Sequence, residues 1–253
     1  MFWNNKPKAP VTDEDRDWIE DSLKYLINEF GYDKIKNLKT ITPTTDYFDY
    51  NFKGTEKDAE YLLNKIMSLM DIKGWRIKLM FYSEQPLEFS EGVLATPSKN
   101  LKGGWKGSAG RYVDKGYGKK EVWIEMGQLM KPQSLIATIS HELSHYKLLG
   151  ENRIEENDEY LTDLTAISYG FGIFISNSLF DFSQWTGSTH QGWQMNNKGY
   201  LPEQMVAYAI ALLIKFREES IDIERYLNKS SYKYYKKSIV YLNKNPERYK
   251  YDR

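Results

Sequence analysis

Apolar residues recur every three or four positions along much of the chain, and this spacing places them on one face of a helix. Two of these segments begin with a threonine that is followed three positions later by an aspartate, a pattern typical of a helix N-terminus. Two others begin with a proline, whose missing N–H is not needed there. The pattern predicts helices over residues 12–30, 55–70 and 132–150, from 158 onwards and from 202 onwards.

Residues 75–126 have a different pattern, in which apolar and polar positions alternate as they do in strands. The alternation is clearest in Trp75–Tyr82. Gly110–Val113 and Glu121–Met126 are predicted to form a hairpin that is closed through the glycine-containing residues 115–118. The chain is therefore predicted to be α+β, with a small mixed sheet followed by a mostly helical C-terminal part.

The overall charge changes this picture little. The 253 residues include 35 Lys and Arg and 35 Asp and Glu, so no net field attracts the protein to nucleic acid or to an anionic membrane. There is no cysteine, which excludes a disulfide framework and fits a reducing compartment. The first residues contain no apolar stretch of the kind found in secretory signals. We therefore expect a cytoplasmic protein.

One long uncharged run, Leu164–Phe180, raises the question of a membrane span. It is shorter than the roughly 20 apolar residues that a spanning helix needs, and it contains several polar side chains. A buried central helix explains the run better, so no membrane span is predicted. Gly170 and Gly172 would allow another helix to pass close to it.

The candidate chemistry lies in the run His141-Glu142-Leu143-Ser144-His145, inside the helix predicted to start at Pro132. Residues four apart lie on the same face of a helix, so both imidazoles can bind one metal ion. Zinc in a catalytic site takes three protein ligands and a water, and the pKa of that water is about 7. Glu142 is the candidate general base, which takes the proton as the water attacks a carbonyl. The structural alternative is a helix that carries two histidines without binding a metal.

Residue type leaves four candidates for the third ligand: Asp158, Glu159, Asp163 and His190. Asp158 and Glu159 are neighbours about 100° apart around a helix, so only one of them can face the ion squarely. His190 lies in a predicted loop and would suit a closed structural site better than an open catalytic one.

His141, Glu142 and His145, followed by Glu159 and Asp163, resemble the motif of the gluzincin zinc peptidases, a group that includes thermolysin and the CAAX-prenyl endopeptidases. The resemblance covers about residues 120–180. It implies that Glu159 is the third zinc ligand and that Asp163 hydrogen-bonds a ligand histidine and orients it. It also implies that a downstream histidine or tyrosine stabilises the oxyanion, and three residues qualify by type: His190, Tyr200 and Tyr208.

The same resemblance implies a zincin-like fold in which an edge strand precedes the active-site helix and pairs with an extended peptide or protein substrate. Val122–Met126 occupies that place in the sequence, and we expect it at the edge of the sheet, with an interior strand as the alternative. The peptidase domain would span 75–253. The helices of 1–74 form either a separate N-terminal segment or part of that domain.

These patterns favour a zinc-dependent metallohydrolase that cleaves peptide bonds. Two alternatives stay open. One is a catalytically silent zinc-binding or interaction domain, which predicts a closed metal site with a fourth protein ligand. The other is a nucleic-acid-binding module acting through residues 229–253, where eight Lys and Arg are interleaved with six tyrosines. A solvated helical face is the commoner reading of such a segment, so nucleic acid is not the expected partner. No pattern in the sequence predicts the oligomeric state.

Overall fold

A computed structural model describes residues 7–73, 77–83, 87–88, 94–95, 109–185 and 200–251. The helices in these ranges are α1 (Asp13–Phe30), α2 (Tyr32–Asn37), α3 (Glu56–Leu69), α4 (Pro132–His145), α5 (Glu159–Ala166), α6 (Gly172–Trp185), α7 (Glu203–Arg217) and α8 (Lys229–Lys244). The strands are β1 (Ile77–Tyr82), β2 (Leu87–Glu88), β3 (Leu94–Ala95), β4 (Gly110–Asp114) and β5 (Lys120–Glu125). A small sheet with a mostly helical remainder confirms the predicted α+β class.

The described residues group into two compact units. One lies within Met1–Phe48, Asp158–Asn177 and Asn196–Arg253, and it contains α1, α2, α5, α7 and α8. The other lies within Asp49–Asn157 and Ser178–Met195, and it contains α3, β1, β4, β5 and α4. The division into a 1–74 segment and a 75–253 domain stays a prediction.

The main sheet has three strands in the order β1-β5-β4, and β2 pairs with β3 in a separate two-stranded sheet. The predicted hairpin is confirmed, because β4 and β5 pair antiparallel with Asp114 opposite Lys120. Its turn is closed by a hydrogen bond from the Lys115 N–H to the Lys119 carbonyl, 2.9 Å long. Ile77 begins the parallel pairing of β1 with β5, and Trp75 of the predicted strand lies outside the described residues.

The prediction that the strand before the active-site helix lies at the edge of the sheet is wrong. β5 is the central strand, because its backbone pairs with β1 on one side and with β4 on the other. Val122 and Ile124 are fully buried, as expected for an interior strand. Within the described sheet, β4 pairs with β5 alone and is therefore the edge strand that packs against α4.

The helix starts follow the predicted capping chemistry. The Thr12 hydroxyl accepts a hydrogen bond from the Asp15 N–H, 3.1 Å long, and so caps α1. At α3 the two residues of the predicted cap bond to each other in both directions, the Asp58 N–H to the Thr55 hydroxyl and the Thr55 N–H to the Asp58 carboxylate. Each cap satisfies backbone donors that have no partner inside the helix, which is why these short sequence signals set the helix boundaries.

The run Leu164–Phe180 is interrupted, so the expectation of one continuous helix is wrong. Gly170 has φ +100°, which ends the right-handed path between α5 and α6. Its carbonyl accepts a hydrogen bond from the Ile41 N–H, 3.0 Å long, so an extended segment packs where the helix breaks. Gly172 does allow a close helix, since a Cβ there would lie 2.6 Å from Cγ1 of Ile210 on α7.

Within the residues that the structure describes, no helix has both the length and the apolar character needed to span a bilayer.

Candidate metal centre

Helix α4 carries both candidate histidines inside the protein. Pro132 occupies its first turn, as predicted, and every residue from Ser134 to His145 is buried. His141 has 4% and His145 has 8% of its surface exposed to solvent. They lie one turn apart on the same face, and their Nε2 atoms face each other at 3.2 Å. Helical spacing alone therefore brings two donor atoms to one point.

Glu159, the first residue of α5, joins the two histidines. One ligand atom from each of His141, His145 and Glu159 lies within 4.8 Å of the others. Asp158 precedes Glu159 and uses its carboxylate differently, as the cap of α5, accepting from the Leu161 N–H at 3.0 Å. Asp158 thus caps the start of α5, while Glu159 lies near the two histidines.

The donor set fits zinc. Two imidazole nitrogens and one carboxylate oxygen are ligands that zinc takes in catalytic sites. Two nitrogens about 2.0–2.1 Å from a tetrahedral zinc are about 3.3 Å apart. The observed Nε2 separation of 3.2 Å agrees, although it would also allow one imidazole to donate a hydrogen bond to the other. The cluster of His141, His145 and Glu159 could thus hold a metal ion.

Glu142 is buried beside these ligands, with 4% of its surface exposed. Its side chain packs against β4, since a Cβ built at Gly110 would lie 3.0 Å from Glu142 Oε1 and 3.2 Å from its Cγ. The sequence pattern indicated Gly110 only as the start of a strand, because its contact with Glu142 depends on how β4 packs on α4. The carboxylate thus lies at a place where the neighbouring strand has no side chain.

Asp163 is fully buried on α5. Its Oδ2 accepts a hydrogen bond from the Leu201 N–H, 2.9 Å long, which ties the carboxylate to the segment before α7. A carboxylate can accept several hydrogen bonds, so this contact is compatible with a second one to a ligand histidine. The predicted orienting role of Asp163 stays a prediction.

The candidates for oxyanion stabilisation have different environments. Tyr208 is fully buried on α7, and its hydroxyl donates to Glu20 Oε1 at 2.6 Å. Burial, with the Glu20 carboxylate as a second cause, raises the pKa of Tyr208 well above its usual value. Tyr200 is half-buried, and His190 lies outside the described residues. Tyr208 thus has a structural partner of its own.

The helix does not stop at His145 but continues as a wider π-helical turn, Tyr146–Gly150. Gly150 ends the helical path, as predicted, and it also allows close packing, since a Cβ there would lie 2.8 Å from the Tyr112 hydroxyl. Burial raises the pKa of both Tyr112 and Tyr146 above the usual value for tyrosine.

No protein-family model matches the chain, and comparisons with curated proteins and with solved structures found no match. The candidate centre is therefore defined by the side chains described above.

Proposed function

We propose that the chain is a zinc-dependent metallohydrolase of gluzincin type that cleaves peptide bonds. The observation that carries this proposal is the meeting of His141, His145 and Glu159 within 4.8 Å, with Glu142 next to the first ligand in the same buried helix. A buried group of ionisable side chains is costly unless it is paired or binds an ion, and such groups cluster at functional sites.

In this proposal each side chain has one role. His141, His145 and Glu159 would hold the zinc. When bound, zinc supplies Lewis-acid polarisation of a carbonyl and lowers the pKa of a water to about 7. Glu142 accepts the proton of the attacking water on its carboxylate and passes it to the leaving amine. Asp163, held by the Leu201 N–H, orients a ligand imidazole.

The proposed substrate is a peptide or protein in extended conformation. β4 is one of the two edge strands of the described three-stranded sheet, and it lies against the helix that carries Glu142. An extended peptide that pairs with such an edge gains backbone hydrogen bonds. The peptide then runs alongside the strand, and so does its scissile carbonyl. A Cβ at Gly110 of β4 would lie 3.0 Å from Glu142 Oε1, so this strand comes close to the proposed base.

One observation favours a second candidate, a zinc-binding domain without turnover. His141, Glu142 and His145 are all at least nine-tenths buried, which restricts the approach of a large substrate. This alternative predicts stoichiometric zinc but no hydrolysis of any peptide.

The test is hydrolysis of a diverse peptide pool by the purified protein, with and without a zinc chelator, beside the Glu142→Gln variant. We expect chelator-sensitive cleavage, and a fall of about 10²- to 10⁴-fold in Glu142→Gln with zinc content unchanged. Cleavage that survives in Glu142→Gln would refute the assigned role. Zinc without cleavage in the wild type would favour the silent domain.

A further inference from the structure

Gly110 on β4 faces the one side chain of α4 that the proposed reaction uses as a base. A Cβ at this position would lie 2.5 Å from Thr138 Cγ2, 3.0 Å from Glu142 Oε1 and 3.2 Å from Glu142 Cγ. Carbon atoms in ordinary contact are about 3.5–4.0 Å apart. Any residue other than glycine would therefore push against Thr138 and Glu142 together.

Thr138 cannot easily move aside. It is buried on α4, and its hydroxyl donates to Gln128 Oε1 at 3.3 Å. The same oxygen accepts from the Ser134 hydroxyl at 3.0 Å, and Gln128 is itself 1% exposed. Rotating Thr138 to make room would break a buried hydrogen bond, which is unfavourable. The Thr138 methyl group is therefore held in place beside Gly110.

The side chain of Glu142 can change its conformation more easily than that of Thr138. The Glu142 side chain has three rotatable bonds. An atom added at residue 110 would press on its carboxylate oxygen Oε1 and on its Cγ. The added Cβ would contact Glu142 directly, 3.0 Å from Oε1 and 3.2 Å from Cγ, so the carboxylate has to move even where the Thr138 methyl group is absent. We propose that Gly110 is a positioning residue for Glu142, because its missing side chain leaves the space in which the Glu142 carboxylate is held for proton transfer.

This inference rests on the proposed function for its kinetic consequence, but the placement of Glu142 can be measured without any activity. General bases must be held within a few tenths of an ångström of their working position. Displacements of about 1 Å can cost about 10²-fold in rate.

The experiment compares Gly110→Ala, Thr138→Ser and the double variant Gly110→Ala/Thr138→Ser. Thr138→Ser keeps the hydroxyl that bonds Gln128 and removes the methyl group that would meet the new Cβ. We expect Gly110→Ala to lower both Tm and kcat. The double variant should recover most of the Tm while kcat stays about 10- to 100-fold low, with KM and zinc content close to wild type. Recovery of stability without recovery of kcat separates positioning from packing.

Gly150→Ala is the matched control. It adds the same methyl group to the same strand–helix contact, 2.7 Å from a Tyr146 ring carbon and 2.8 Å from the Tyr112 hydroxyl, two turns beyond Glu142. We expect a lower Tm and an unchanged kcat for the folded protein. Equal losses of kcat in Gly150→Ala and Gly110→Ala would overturn the inference, because the effect would then be general to this contact.

A crystal structure of the double variant provides the readout that is independent of turnover. The Glu142 carboxylate should be displaced away from residue 110, while His141 and His145 keep their positions. A carboxylate in the wild-type position would overturn the inference even if the protein hydrolyses peptides. Conversely, a displaced carboxylate in the double variant, together with no hydrolysis by the wild type, would leave the placement of Glu142 by Gly110 intact and reject the proposed function.

Discussion

Helices α4 and α7 are both buried, but they bury different chemistry. In α7 every residue from Met205 to Arg217 except Lys215 is buried, and most of these side chains are apolar. In α4 the buried stretch from Ser134 to His145 contains many polar side chains: Ser134, Thr138, Ser140, His141, Glu142, Ser144 and His145. The two helices thus have similar burial and very different composition.

The difference matters because a buried polar group is unfavourable unless it has a partner. The polar side chains of α7 have structural partners: Tyr208 donates to Glu20, and the buried Arg217 donates to the carbonyl of Ile35 and lies 3.6 Å from Glu219. In α4 the hydroxyl of Ser144 bonds the carbonyl of Ser140, but the two histidines face each other. The buried polar groups of α7 thus make structural contacts, whereas the two histidines of α4 lie within reach of Glu159 and could hold a metal ion with it.

The largest expected effect concerns the third ligand. Glu159→Ala should weaken zinc binding by more than about 100-fold, because it removes a ligand. Asp163→Asn should weaken it by only about 10- to 100-fold, because it keeps an acceptor for the Leu201 N–H and changes only the orientation of an imidazole. The measurement is competition for zinc against a chelator of known affinity. A larger loss in Asp163→Asn than in Glu159→Ala would reverse the two assigned roles.

A matched pair of truncations tests the comparison of α4 with α7 directly. Leu143 on α4 and Leu212 on α7 are both fully buried, and each Leu→Ala change should lower the free energy of unfolding by about 2–5 kcal/mol. Leu212→Ala should leave the zinc affinity of the folded protein unchanged. Leu143→Ala should also weaken zinc binding, because it loosens the helix between His141 and His145. Equal zinc affinities in the two variants would show that α4 is a packing helix as well.

The smallest effect is expected at Tyr208. Tyr208→Phe removes one buried hydrogen bond to Glu20 and should cost about 1 kcal/mol at neutral pH, with turnover unchanged. Burial raises the folded-state pKa of Tyr208, so its contribution is complete below the unfolded pKa of about 10 and is lost as the pH rises above it. Urea unfolding between pH 8 and 11 should therefore show a steeper loss in the wild type than in Tyr208→Phe. A loss of turnover in this variant would instead support Tyr208 as an oxyanion stabiliser.

Features set by neighbouring residues could be predicted from the sequence. The caps at Thr12 and Thr55 and the hairpin around residues 115–118 depend on contacts a few positions apart, and each has the predicted form. The pairing of His141 with His145 follows from helical spacing in the same way. Local chemistry therefore predicted the helix that carries the candidate centre.

Features set by distant residues could not be predicted. The central place of β5 depends on its parallel pairing with β1, some forty positions earlier, for which the alternation of β5 gives no signal. The break at Gly170 depends on the segment around Ile41, and the role of Gly110 depends on the packing of β4 against α4. A glycine in the sequence indicates freedom or close approach but does not identify the neighbour.

The most direct measurement of the central claim is the metal content of the purified chain, by elemental analysis of the wild type and of a variant in which His141 and His145 are both replaced by alanine. If the buried polar groups of α4 exist to hold a metal, the wild type should contain about one zinc per chain. The double variant should contain none, and a chelator should remove the zinc from the wild type. A wild-type protein that takes up no zinc even after reconstitution, or a double variant that retains it, would contradict the account.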